Sequence, residues 1–394
     1  MQITRIDSLA EFSPRAWNAL QGTDNPFLRH EFLSALERHG CVGDDSGWIP
    51  QFLVAEHDDV LIGAIPMYLK HHSFGEFVFD WSWASVYQNS GQSYYPKLVV
   101  AIPFTPITGP RILTANSVTG TQAGEHLIKA TLDHAHSLGV SSLHWLFINE
   151  QDATVLERQG LMRRSGCQYH WLNPGYRDFD DFLTGLSAEK RKKIKRERRR
   201  VYEADIQFEV LHGGDIGETH WSAFYDFYQA TFWKKGSAGP LTYDFFVDLG
   251  SQMPENVLLI MVKFAGRYVA GAFFMHNPHT LYGRHWGCAE EYHSLHFETC
   301  YYRAIDYCIE HGLQRFEAGA QGEHKISRGF MPTATSSAHL IRDPRFGLLI
   351  RDFLRREDKA VSAYITEARL HSPYKAGVWP IPGRRTESDR HSTA

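Results

Sequence analysis

The sequence predicts a globular α/β (α+β) protein made of one unit used twice, each a mixed, mostly antiparallel twisted sheet flanked by helices. Three observations predict it. The chain has 394 residues, enough for two domains of ordinary size with buried cores. Its 43% hydrophobic and 22% charged residues are those of a globular protein rather than a disordered or fibrous one. A pattern of helix, hairpin, strand, long helix and strand occurs in both halves, and it is not the strict alternation of a doubly wound fold.

In the first half, NPFLRHEFLSALERHG reads as a capped helix, apolar at Phe27, Leu28, Phe32, Leu33 and Leu36. QFLVAE, the turn His57-Asp58-Asp59 and VLIGAIPMYLK read as a β-hairpin. A helix over Gly124–Leu138 and a strand SSLHWLF follow. In the second half, LTYDFFVDLGSQM reads as a helix, and NVLLIMVKF, Ala265-Gly266-Arg267 and YVAGAFFMHN as a second hairpin. A strand through Arg284–Trp286, a helix over His296–Gly312 and the strand RFEAG complete the repeat. Between the halves, the turn Asn173-Pro174-Gly175 is followed by a stretch that reads as one long helix over Phe179–Glu203. The expected domains are 1–176 and 177–375, the second opened by a basic helix over 177–204, with a poorly ordered, Pro- and Gly-rich tail over 376–394.

A net charge of −4 excludes a bulk polycation, so any nucleic-acid contact must be local. The amino-terminal MQITRIDSLAEF has no apolar core of a secretion signal, and the longest apolar runs are too short to cross a bilayer. Five cysteines without close metal spacing read as free thiols in a reducing cytoplasm. His71-His72, His134-x-His136 and His276-x-x-His279 lack a metal framework, so no metal is expected. Neither a GxSxG elbow nor a phosphate-binding Walker loop is present.

Titratable and hydrogen-bonding side chains crowd Tyr282–Pro332, where strands end and helices begin. Arg284 and Trp286 alternate with His285 on one strand, so all three share a pocket only if the strand bends at Gly283 or Gly287. His296 and Glu298 open the next helix, with Tyr302 one turn on. After RFEA, the run Gly319-Ala320-Gln321-Gly322-Glu323-His324-Lys325 has small residues that let a backbone approach a ligand, followed by charge that continues to Arg328. The stretch Glu189–Arg200 holds nine Lys or Arg in twelve residues, either a solvated helix face or an anion track in which Arg191, Lys195 and Arg199 form one side.

SLHWLF, RDFDDFLTGLSAEKRKKIKRERR and GRHWGCAEEYHSLHFETCYYRAIDYCIEHGLQRFEAGAQGEHKISRGF together resemble the bacterial FemAB-like predicted N-acyltransferases, labelled peptidoglycan biosynthesis or recognition proteins. SYYPKLVVAIPFTPITGPRIL and NPFLRHEFLSALE carry the resemblance into the first half, from about Asn25 to Leu354. The resemblance implies two tandem GNAT-like domains and transfer of an activated acyl or aminoacyl group to an amine acceptor such as a cell-wall precursor. No cofactor is bound; the donor is a co-substrate, aminoacyl-tRNA or acyl-CoA. Two departures stand out. The segment expected to hold an acyl-CoA pyrophosphate loop reads GCAEEYHSL, which is acidic, and the near match at Arg267–Ala272 sits on a hairpin strand. Where Fem transferases carry a Phe-Lys-rich motif, this chain has Lys325-Ile326-Ser327-Arg328-Gly329-Phe330.

Direct attack of an amine through a tetrahedral intermediate needs a proton acceptor, oxyanion donors and a proton for the leaving group. The expected acceptor is Glu298 or Glu317, with His285 as alternate. Backbone N–H groups around Gly319–Gly322 would hold the oxyanion, helped by Gln321 or His324. Arg284, Trp286, His296, Tyr302, Glu323, Lys325 and Arg328 are the expected substrate contacts, joined by Lys97, Thr105 and Arg111 of the first half. The basic helix would meet tRNA, and no membrane insertion is expected. The competing classes are a non-catalytic module that binds peptidoglycan fragments or nucleotide-linked precursors, and a hydrolase using water as acceptor.

Overall fold

A computed structural model describes residues 1–290, 292–319, 322–375 and 378. The chain forms two compact units, each assembled from three stretches. The first takes Met1–Cys167, Pro240–Phe245 and Ala334–Tyr364; the second takes Gln168–Gly239, Phe246–Thr333 and the chain from Ile365 on.

The first unit has an antiparallel sheet in the order Gln2–Ile6, Phe52–His57, Val60–Ile65 and Leu113–Thr114. The expected hairpin turns at Asp58 and Asp59, both at positive φ. Its second strand does not run on through Lys70. Pro66 removes the donor that a continuous ladder needs, and Met67–Lys70 pairs instead with Trp48–Pro50 and Lys97–Val100. Lys97–Val100 runs parallel to Ser142–Ile148, which pairs with the end of Met331–Ile341. The helix between this parallel pair is longer than its apolar pattern, Val118–Leu138, because Ser117 caps it seven residues before Gly124 and Gly139 ends it at φ 65°. Ala123, Leu127, Ile128 and Ala135 seal it onto Leu98, Leu143 and Trp145.

The second unit orders Gln207–His212, Val257–Phe264, Arg267–His276, Thr280–Cys288, Arg315–Glu317 and the end of Met162–Leu172. The first four are antiparallel, and Thr280–Tyr282 then pairs parallel with Arg315–Glu317. Both units therefore contain a parallel strand pair joined by a helix, inside otherwise antiparallel sheets. The expected long helix over Phe179–Glu203 is broken. Phe179–Thr184 ends at Gly185, and Ser187, extended at ψ 153°, precedes a new helix at Ala188–Glu203. Residues 373–375 close that break: Pro373 O accepts from Ser187 N at 2.8 Å, and Lys375 N donates to Gly185 O at 2.9 Å. Apart from Val378, the tail over 376–394 lies outside the described residues. Among the described residues no helix is long and apolar enough to cross a membrane.

Candidate active site

The strands Thr280–Cys288 and Arg315–Glu317 stay paired for three residues and then part at Gly283. Gly283 stands at that exit, where a Cβ would lie in ordinary contact with the Phe316 ring at 3.4 Å and the Glu317 carbonyl at 3.6 Å. The next residue, Arg284, is a bulge: Phe273 pairs with His285 and Phe274 with Gly283. This irregularity disturbs the strict alternation of Arg284, His285 and Trp286, and all three line the small cavity, about 100 Å³, that opens between the parting strands. Its other walls are His296, Cys300 and Tyr301 on the helical stretch that starts at Leu295, with Ala318 and Gly319 opposite.

His285 sits edge-on to Tyr228 and Phe246, and burial pushes its pKa well below the ordinary value. His296 contacts the rings of Trp286 and Tyr301, each 5.4 Å away, and burial, with help from His324 and Arg328, lowers its pKa to about 4. Both imidazoles are neutral near pH 7. Tyr301 Oη and His324 Nε2 are 3.0 Å apart, and His324 is exposed. Burial holds Arg284 at about 10.

Opposite these rings, Lys325 Nζ donates to Gly319 O at 2.9 Å. Lys325 is only 2% exposed, and burial lowers its pKa to about 8. Gly319 and Gly322, at φ 84° and 113°, make the turn that brings the lysine back. Glu323 is exposed in the 3₁₀ turn Glu323–Arg328. Gln321 lies outside the described residues.

Glu317 ends the strand just before this turn and is 1% exposed. Arg315 Nε comes within 3.1 Å of its carboxylate, yet among the described residues neither oxygen has a well-aligned hydrogen bond. His170, its register partner on the next strand, holds Nε2 3.9 Å away. Burial, only partly offset by Arg315, raises Glu317 to about 7.

Glu298 belongs to a different group. It starts the π-helical turn Glu298–Tyr302 and faces the basic helix rather than the cavity lined by His296, Cys300 and Tyr301. Tyr202 Oη donates to it at 3.1 Å, with Arg198 Nη2 at 3.1 Å and Arg303 Nε at 3.4 Å. Burial raises its pKa against the pull of those arginines. Tyr302 and Arg328 are fastened to a buried residue that the sequence reading passed over, Glu197. Arg328 Nη2 reaches both Glu197 oxygens at 2.9 and 3.0 Å, Tyr302 Oη donates to the same carboxylate, and Arg328 Nη1 donates to His324 O at 2.8 Å. As the one acid between Lys190 and Arg200, Glu197 was the available signal.

On the basic helix, Arg191 donates to Leu186 O at 2.7 Å, Lys195 pairs with Asp180 at 2.9 Å and Arg199 approaches Glu203 at 3.5 Å. Lys195 and Arg199 line a cleft of about 780 Å³ with Phe179, Arg198, Tyr202 and Asp306. Among the described residues, Lys192, Lys193 and Arg196 form no ion pair.

In the first unit, Lys97 is completely buried, bound to Glu76 at 2.8 Å, Asp80 at 2.5 Å and Ser73 at 2.8 Å. Arg111, equally buried, donates to Ile107 O and Pro110 O, and Thr105 Oγ1 donates to Pro103 O. These are internal fastenings, and none of the three reaches solvent freely. No group of three or more metal-ligating side chains stands together among the described residues.

Residues 8–376 match the profile of the FemAB-like family, described as peptidoglycan biosynthesis/recognition. No curated protein matches significantly. Among solved structures, FemX is similar in fold, with a TM-score of 0.54 and 11% identity over 89% of this chain and 100% of its own. L-PGS from Bacillus licheniformis gives 0.52 and 12% over 84% and 96%, and a conserved protein from Bacteroides thetaiotaomicron gives 0.52 and 11% over 86% and 99%.

Proposed function

The chain belongs to the FemAB-like family, and from that premise we propose that it is an N-acyltransferase acting on an amine through a tetrahedral intermediate. The observation that carries this reading is Glu317: a buried carboxylate without a well-aligned hydrogen bond among the described residues, raised to about 7, one residue before the walls of the cavity between the parting strands. A carboxyl with that affinity can take the proton of an attacking amine near neutral pH. Lys325, held at the Gly319 carbonyl, puts a cation beside the same wall for the developing oxyanion. His285 and His296, kept neutral, would orient rather than ionise. Glu298, committed to Arg198 and Arg303, would fix the helix against its neighbour.

For the donor, aminoacyl-tRNA is the better fit. The segment 289–294, where a pyrophosphate would sit, carries Glu290 with Tyr292 hydrogen-bonded to it at 2.9 Å. Lys192, Lys193 and Arg196 offer exposed or half-exposed cations to a phosphate backbone. The competing reading is a module that recognises a cell-wall fragment without turnover, which would have no use for a raised carboxyl such as Glu317.

The deciding experiment titrates the full chain with acyl-CoAs and with charged and uncharged tRNA at two salt concentrations. Salt-sensitive tRNA binding that falls when Lys192, Lys193 and Arg196 become Gln supports aminoacyl transfer. Acyl-CoA binding alone shifts the reading to a CoA-dependent transferase. Precursor binding without donor binding or turnover replaces it with the recognition module.

A further inference from the structure

The first unit holds a cavity of about 710 Å³ for which acyl transfer has no use. Sites for small molecules enclose roughly 300–1,000 Å³. It opens at the end of the sheet where the parallel strands Lys97–Val100 and Ser142–Ile148 begin, because Pro96 and Ser141, just ahead of them, both line it. The cavity of the second unit opens where its own parallel pair ends, so the two are not copies of one site. Backbone bonds hold the walls together: Ser141 N donates to Pro96 O at 3.4 Å, and Arg342 N donates to Ser141 O at 2.9 Å.

One wall carries a buried hydroxyl with nothing to bond. Tyr87 is 2% exposed, with its ring stacked on Phe346 at 4.0 Å and set edge-on to Tyr94 at 5.2 Å. Its Oη has no hydrogen-bond partner among the described residues. A buried donor left in that state is costly, and a ligand oxygen beside it removes the penalty. Burial, reinforced by the Asp343 carboxylate, pushes the phenol up to about 12, so it is a donor at neutral pH. Asp343 is itself a wall of the cavity, which places the hydroxyl end of the ring toward it.

The rim is cationic. Arg342 is exposed and forms no ion pair among the described residues; Nη1 donates to Gly139 O at 2.6 Å, and Nε and Nη2 stay available. The acid next to it, Asp343, is neutralised by Arg345 through Nε at 3.1 Å and Nη2 at 2.7 Å. Tyr95 adds a half-buried ring, and the exposed Gln92 and Ser93 add an amide and a hydroxyl.

We propose that this cavity binds a sugar-like, polyhydroxylated ligand carrying one phosphate or carboxylate. Arg342 takes the anionic group, Tyr87 Oη donates to a ligand oxygen, Tyr95 covers an apolar face of the sugar ring, and Gln92 and Ser93 meet its remaining hydroxyls. A purely apolar ligand would leave Tyr87 without a partner, and a cation would be repelled by Arg342. The inference stands independently of the acyl-transfer reading, because it uses none of the residues of that site.

Isothermal titration calorimetry of the full chain with glucose 1-phosphate, glucuronate, glucose and inorganic phosphate tests it. The expected result is saturable binding of glucose 1-phosphate or glucuronate, at least tenfold tighter than of glucose or phosphate alone; the tighter of the two identifies the anionic group. Arg342→Gln should weaken that binding by about 10–150-fold, as for a hydrogen bond to a charged group, and Tyr87→Phe by about 2–12-fold, as for a neutral one. Tyr87→Phe removes only a hydroxyl without a partner, so its melting temperature should equal or exceed that of wild type, which a structural role for the hydroxyl would not give. Should Arg342→Gln fail to fold, Tyr87→Phe carries the test. Four results overturn the proposal: neither anionic sugar binds, phosphate alone binds as tightly as glucose 1-phosphate, folded Arg342→Gln and Tyr87→Phe bind like wild type, or Tyr87→Phe melts lower with its binding unchanged.

Discussion

Glu317 joins chemistry and stability in one side chain. Its carboxyl binds a proton more tightly in the folded protein, at about 7, than in the unfolded chain. The fold therefore loses stability as pH rises from roughly 4.5 to 7 and regains it on acidification. Glu317→Gln removes that dependence. Relative to wild type it should be more stable at pH 8 by up to about 3 kcal/mol and no more stable at pH 4, read from denaturant midpoints at the two pH values. Transfer in the same variant should fall by roughly 10²–10⁴-fold, the contribution of a positioned proton acceptor. A variant that retains full turnover removes Glu317 from the mechanism.

Among the elements, the strand Thr280–Cys288 supplies one wall of the cavity, and the turn Glu323–Arg328 is tied to the Gly319 wall by Lys325. Gly287 lets the strand press on helix Glu218–Trp233, where a Cβ would stand 2.0 Å from the Phe227 carbonyl oxygen. Gly287→Ala must shift backbone against backbone and should cost roughly 1–3 kcal/mol or more, seen as a lower melting temperature. Arg328 pins the turn to Glu197 on the basic helix. Arg328→Leu leaves a buried carboxylate without its partner and should cost about 3–5 kcal/mol, and Glu197→Gln/Arg328→Leu should recover part of that loss. Both hairpin turns and the long helices after them were legible because apolar periodicity and turn residues agree there; the parallel pairing of the strands either side of those helices was not read. Nor was the break at Gly185–Ser187. The basic run continues a helical period across it, and the interruption is set by Pro373, Tyr374 and Lys375, nearly two hundred residues away in sequence.

At the scale of the whole molecule, the crowding of titratable side chains in Tyr282–Pro332 could be read from the sequence, but its division into two groups could not. Glu298 and Glu317 both looked like proton acceptors on composition. The helix turns one toward Arg198 and the strand turns the other toward His170, and only packing distinguishes them. Lys97 and Arg111 show a related limit: a charged residue in a Pro-rich stretch reads as available to a substrate unless its internal partners are known, and Glu76 and Asp80 lie some twenty residues away from Lys97.

The way the units are assembled also governs how the protein is made. The first unit is incomplete without Ala334–Tyr364, and the second draws on the chain from Ile365 on. Tyr374 Oη donates to the Gly329 carbonyl and so fixes the turn that carries Lys325 and Arg328. A ribosome builds from the amino terminus, so neither unit can close behind it as translation proceeds. The nascent chain must wait, with part of its apolar surface uncovered, until Tyr374 has been made.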